Sequence, residues 1–105
     1  MAADNPMRQA RALEAMLNQE RANAMGLTGA KLERELREMD RLAAELALAD
    51  GATEKKLRRL HEDARHEAAR QLWNLIVQRE ALGLSRHDDV YELYRVPRSL
   101  VPSPL

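Results

Sequence analysis

The stretch Ala49-Asp50-Gly51-Ala52-Thr53-Glu54 decides how this chain folds, because it is a stop signal followed at once by a start signal. Gly51 suits the left-handed residue that ends a helix. Thr53 can cap the next helix, with Glu54 in a first turn where the helix dipole favours an acid. So short a connection between two long helices predicts an antiparallel hairpin.

Upstream of this turn the apolar or small positions run Leu13, Leu17, Ala24, Thr28, Leu32, Leu36, Met39, Ala43 and Leu46, and only Arg21 interrupts the row. Their mean spacing of about 3.7 residues is close to the helical 3.6. Asp4 or Asn5 ahead of Pro6 makes a good helix start, a capping side chain and then Pro at the first helical position. Gly26 and Gly29 each cost a helix about 1 kcal/mol relative to Ala. The stripe nevertheless keeps its phase through them, with no Pro and no polar loop. The spacing therefore predicts one long helix over 6–49, with 26–29 as the place for any bend. The alternative is two helices meeting there, with Thr28 as a cap, although Lys31 stands where a capping box wants Glu or Gln. The small residues Ala22, Ala24, Gly26, Gly29 and Ala30 are either tolerated helix-interior residues or the mark of another element crossing closely.

Downstream, Leu57, Leu60, Ala64, Ala68, Leu72, Leu75, Arg79 and Leu82 predict a second helix over 54–82. Arg58 and Glu62, and Arg59 and Asp63, stand four apart near its start, the spacing of supporting ion pairs. Its second half, Leu72-Trp73-Asn74-Leu75-Ile76-Val77, is apolar nearly all round, which predicts cover on more than one side. Gly83-Leu84 reads as a Schellman ending. Ser85 with Asp88 three residues on is a variant capping box, so a short helix is expected over 86–94, laid over the Trp73 end by Val90, Tyr91, Leu93 and Tyr94. Val96-Pro97 forces extended backbone, and residues 96–105 form an extended tail.

Composition agrees with a helical reading. Of 105 residues 45% are apolar, yet Phe and Cys are absent and aromatics make up 3%. Ala, Leu and Met with 32% charged residues are the make-up of long helices, and the length suits a single domain. Seventeen basic and seventeen acidic residues cancel, and no block of like charge stands out. The electrostatic footprint of a nucleic-acid or membrane-surface binder is therefore missing. Without Cys there is no disulfide, thiolate nucleophile or Cys-ligated zinc. No apolar run approaches the roughly 20 residues of a bilayer span, and the first residues lack a secretory pattern, so a cytoplasmic protein is expected.

Few residues invite chemistry. His61 and His66 are five apart and so on different faces of a helix, and Glu62 with His66 supplies only two ligands. His87, Asp88 and Asp89 resemble a ligand cluster, but acids belong in a first turn in any case. The hydroxyls of Thr28, Thr53, Ser85, Ser99 and Ser103 all have helix, cap or tail explanations, and no phosphate loop or catalytic carboxylate pair is present. No enzyme, metal or cofactor is expected. Arg79 falls on the core stripe, where a buried Arg needs a partner, with Asp88, Asp89 or Glu92 within reach of its helix end. Trp73, Arg79, Tyr91 and Tyr94 are thus the candidate residues, as structural pins or as an interaction surface.

Val77-Gln78-Arg79-Glu80-Ala81-Leu82-Gly83-Leu84, followed by Tyr94-Arg95-Val96-Pro97, resembles an element of a family of small bacterial helical proteins of unknown function. Leu13-Glu14 and the two glycines before Leu32-Glu33 extend the likeness to about residues 10–100. The family pattern has a basic residue between those glycines, where this chain has Leu27-Thr28. The resemblance implies a helical bacterial protein and brings no catalytic residues.

The expectation is an all-α protein, a long antiparallel helical hairpin with a short third helix, paired as a homodimeric bundle. One partner helix cannot bury the whole first stripe, and Met16, Met25, Leu42 and Leu48 lie off it. Self-association is the simplest remedy, and a first helix folded back within a monomer is the competing account. The expected function is a non-enzymatic interaction or scaffold module, with a further protein partner unidentified. The alternative is a nucleic-acid-associated regulator using Lys55, Lys56, Arg58 and Arg59.

Overall fold

A computed structural model describes residues 5–102. Helix α1 spans Pro6–Leu46, α2 spans Gly51–Ala81, α3 spans Asp88–Leu93, and a single 3-10 turn covers Arg98–Leu100. The molecule is all-α among the described residues, a long hairpin of α1 and α2 with a short third helix, and measures 77 × 31 × 18 Å.

Helix α1 starts as Pro6 dictates, with the Asn5 Oδ1 accepting from the Met7 N–H at 2.9 Å. It passes unbroken through Gly26 and Gly29. Thr28 is no cap here, since its hydroxyl donates back to the Ala24 carbonyl at 3.1 Å. The helix stops at Leu46 rather than 49, because Leu48 and Ala49 turn their N–H groups to carbonyls only three residues back. The next helix begins at Gly51, ahead of the expected Thr53 cap. Asp50 is the extended residue before it, and Gly51 takes the left-handed φ of +55° that closes the turn.

The core is the seam between the two helices. Leu32, Leu36, Met39 and Leu42 of α1 meet Ala64, Ala68, Leu72, Leu75 and Ile76 of α2, with Val90 and Leu100 closing it from the C-terminal segment. Leu42, expected off the stripe, is in the core and Ala43 is exposed, because the buried row steps by three after Met39. Ion pairs line the outside, and Arg58 pairs backward with Glu54 at 2.6 Å instead of forward with Glu62. Helical side chains lean toward the N-terminus, and an acid preceding its base is the better order.

Two corrections concern the C-terminal end. Trp73 and Val77 are not covered. They are 60% and 49% exposed, while their neighbours Leu72 and Ile76 are buried. α1 and the C-terminal segment each take one side of α2 there, and a third side stays open. The described part of the tail, 96–102, is not simply extended either, since Arg98–Leu100 makes a 3-10 turn that seats Leu100 in the core, while 103–105 lie outside the described residues.

The small-residue zone is a close crossing at one glycine and not at the other. A methyl group at Gly29 would stand 2.2 Å from the Tyr94 hydroxyl, whereas one at Gly26 would meet nothing within 4 Å. Gly29→Ala is expected to push Tyr94 off α1 and to cost about 1–3 kcal/mol in urea unfolding. Gly26→Ala should instead stabilise by up to about 1 kcal/mol. Equal effects of the two changes would contradict this geometry.

Candidate functional site

Two features stand out from the hairpin, a polar latch at the end of α2 and a row of apolar side chains that nothing covers. The latch grows from Arg79, which lies on the core stripe in the last turn of α2. The helix closes there as a Schellman motif, the N–H of Leu84 reaching the Arg79 carbonyl and that of Gly83 the Glu80 carbonyl, with Gly83 at a φ of +87°. The chain so reversed brings the start of α3 back over the Arg79 side chain.

Arg79 is 14% exposed in its side chain and spends its donors on three groups. Its Nε donates to the Nδ1 of His87 at 3.2 Å, and one terminal nitrogen donates to the Arg86 carbonyl and to the Asp89 carboxylate, each at 3.0 Å. Of the three carboxylates named from sequence, Asp89 is the one it reaches. His87 was missed as a partner. Because its Nδ1 accepts from Arg79, the ring N–H lies on Nε2, which faces the Glu80 carboxylate at 3.3 Å. His87 is also the residue preceding α3, a helix that opens without the expected Ser85 capping box. Asp89 instead binds its own neighbour, accepting from the Val90 N–H at 3.0 Å.

α3 is then pressed onto the hairpin. Val90 is buried, Tyr94 fills the space over Gly29, and Tyr91 is half-buried. Burial, reinforced by Asp88 and Glu80, pushes the Tyr91 phenol above its ordinary value of 10.0. The helix ends in a second Schellman motif, the N–H of Val96 reaching the Tyr91 carbonyl, but with Arg95 at the left-handed position. Its φ is +52°, a conformation that costs a side-chain-bearing residue about 1–2 kcal/mol. Arg95 also borders an open groove of about 600 Å³ shared with Arg37, Leu36 and Leu93.

The second feature is the uncovered surface. α1 has 41 residues and α2 has 31, about 61 and 46 Å at 1.5 Å per residue. Residues 6–23 are all exposed, so that the first half of α1 projects past the hairpin. It carries Leu13 at 57%, Met16 at 65% and Leu17 at 43% exposure. Leu13 and Leu17 belong to the very stripe that α2 covers from Thr28 to Leu42. Leu27 on α1 and Trp73 and Val77 on α2 lie open at the neck where the hairpin begins. Beside them Thr28, Asn74 and Gln78 line a shallow groove in which the Gln78 Oε1 is buried without a hydrogen-bond partner.

The remaining candidates stay apart. His66 contacts Glu62 at 3.1 Å on an exposed face, and among the described residues no three His, Asp or Glu side chains group as metal ligands. Lys55, Lys56 and Arg59 are exposed, and Arg58 is tied to Glu54. No helix among the described residues is long and apolar enough to cross a membrane. Comparison with known proteins returns no matching family model, no matching curated protein and no matching solved structure.

Arg79→Met removes the charge-assisted bonds while keeping the stem, and is expected to cost about 1–3 kcal/mol. Far-UV helicity should persist while Arg86 and Arg95 become open to trypsin, the sign of α3 opening locally. An unchanged digestion pattern would mean that α3 is held by packing alone. For Tyr91 the sign follows from a folded value above the unfolded one. The stabilisation is whole below about pH 10 and is lost as pH rises through the folded value. Chemical denaturation should therefore show the wild type losing more stability than Tyr91→Phe between pH 9 and pH 11 (round values about the ordinary 10.0).

Proposed function

We propose that this chain is a non-enzymatic, self-associating interaction or scaffold module of the cytoplasm, and that the projecting half of α1 is its docking element. One observation carries the reading. The apolar stripe that α2 buries from Thr28 onward continues uncovered through Leu17 and Leu13, on a segment whose every residue from 6 to 23 is exposed.

An isolated helix of that length is marginal in water, because its nucleation cost is repaid only over many residues or by packing. Cover from a second molecule supplies the packing that the shorter α2 does not reach. Nothing at the polar latch competes with this reading. The Nε and one terminal nitrogen of Arg79 bond to the chain itself, and His87 lies between Arg79 and Glu80. The basic start of α2 gives a nucleic-acid role less support, since its four cations are flanked by Glu54, Glu62 and Asp63 and Arg58 is paired with Glu54.

The full chain should sediment as a dimer at micromolar concentration, with the dimer fraction falling on dilution. Leu17→Glu should give a monomer and lower the far-UV helical signal as residues 6–23 lose their cover. A monomer at every concentration tested, with Leu17→Glu unchanged in helicity, would end this reading.

A further inference from the structure

The open half of α1 has a finer pattern than its exposure alone suggests. Ala10, Leu13, Leu17, Glu20, Ala24 and Leu27 follow one another at spacings of 3, 4, 3, 4 and 3, the alternation of a coiled-coil seam. Ala24 is half-covered by the hairpin and the other five are exposed, so the seam is open along its length. On one flank stand Glu14 and Arg21. Neither takes part in an ion pair within the described residues, although this chain pairs Arg and Glu readily elsewhere on both long helices.

We infer that the occupant of this seam is the same segment of a second copy, laid antiparallel about a two-fold axis that passes between residues 18 and 19. The inference rests on the self-association proposed above and names its geometry. In this alignment each layer joins residues whose numbers sum to 37. Leu13 meets the partner's Ala24, Leu27 meets the partner's Ala10, and Leu17 meets the partner's Glu20. In the Leu13–Ala24 and Leu27–Ala10 layers a large side chain thus faces a small one, which lets the helices approach.

The flanks decide the direction. In an antiparallel pair a given flank of one helix faces the same flank of the other. Glu14 lies between the layers of Leu13 and Leu17, and those are the layers that the partner's Ala24 and Glu20 supply. The partner's Arg21 lies between those two residues. Two symmetric Glu14–Arg21 pairs therefore form across the axis, joining opposite charges that have no ion pair among the described residues of the single chain. A parallel in-register pair would stack Leu13 on Leu13 and Ala24 on Ala24 and would leave both charges without a partner.

Glu20 is the discordant member of the seam. A polar residue at one seam position weakens association while limiting the alignments that can form. Its position close to the axis means that both copies of it fall near the middle of the interface.

Two experiments on the full chain test the geometry. Glu14→Arg and Arg21→Glu should each weaken the dimer by about five- to tenfold, and the double exchange should return its dissociation constant to within about threefold of wild type. Since the native chain has no Cys, introduced cysteines report alignment directly. Leu13→Cys combined with Ala24→Cys should give a disulfide-linked dimer on oxidation, and Leu13→Cys alone should not. Far-UV spectra of the reduced variants control for folding. Linking by Leu13→Cys alone would show parallel pairing and overturn the inference. So would a dimer that neither links in the double variant nor responds to the charge exchange, and in that case self-association would stand. A monomeric wild type would remove both.

Discussion

A helix can bury only as much of its apolar stripe as its neighbour reaches, and the difference between 41 and 31 residues governs the rest of this molecule. Where α2 runs beside α1, the stripe becomes a core. Leu32, Leu42, Leu72 and Ala68 fall to 2% exposure or less, and the alanines at 64 and 68 let the helices lie close. Where α2 stops, the same stripe continues into water. The chain thus consists of a hairpin that closes its own seam and an arm that carries an open copy of the same pattern.

The end of α2 is where these two regimes meet, and a polar device holds it. The chain must reverse there, and Gly83 takes the left-handed turn while Leu84 returns its N–H to Arg79. Arg79 then serves twice. Its carbonyl closes the helix, and its guanidinium gathers the Arg86 carbonyl, His87 and Asp89 from the returning strand of chain. Each buried donor finds an acceptor, which is the condition for a buried Arg to be tolerated. With six residues, α3 is too short to be stable alone. Its position depends on this latch, on Val90 in the core and on the fit of Tyr94 against Gly29.

The hairpin was legible in the sequence because it depends on local signals. Pro6 behind Asn5, the stripe from Leu32 to Leu75, the turn at Gly51 and the Gly83-Leu84 ending each act over a few residues. The errors came where the outcome depends on what lies opposite. Thr53 is a good cap by composition, but the glycine before it could take the turn sooner. Trp73 follows a dense apolar run, and the run does not say which of its faces finds a neighbour. His87 looked like a ligand or a cap, and only the reversal of the chain shows that it sits between Arg79 and Glu80. Leu100 belongs to a stretch with no helical signal, yet one 3-10 turn suffices to place it in the core. Among the four candidate residues, the structure separates Arg79, Tyr91 and Tyr94, which fasten α3, from Trp73, which faces outward at the neck.

The arm and the hairpin also differ in how firmly they are built. The hairpin seam is filled by Leu, Ile and Met against Ala, and no charged residue is among its buried members. The arm offers two leucines, two methionines and four alanines, with Glu20 in the middle of its seam. Fewer large side chains and one charged residue give less apolar area to remove from water, and the driving force scales with that area. A partner laid on the arm would therefore be held less tightly than α2 holds α1. The exposed ring of Trp73 lies beside the neck where the arm begins, so an occupant of the arm's seam that extends toward the hairpin passes near the largest uncovered side chain in the molecule.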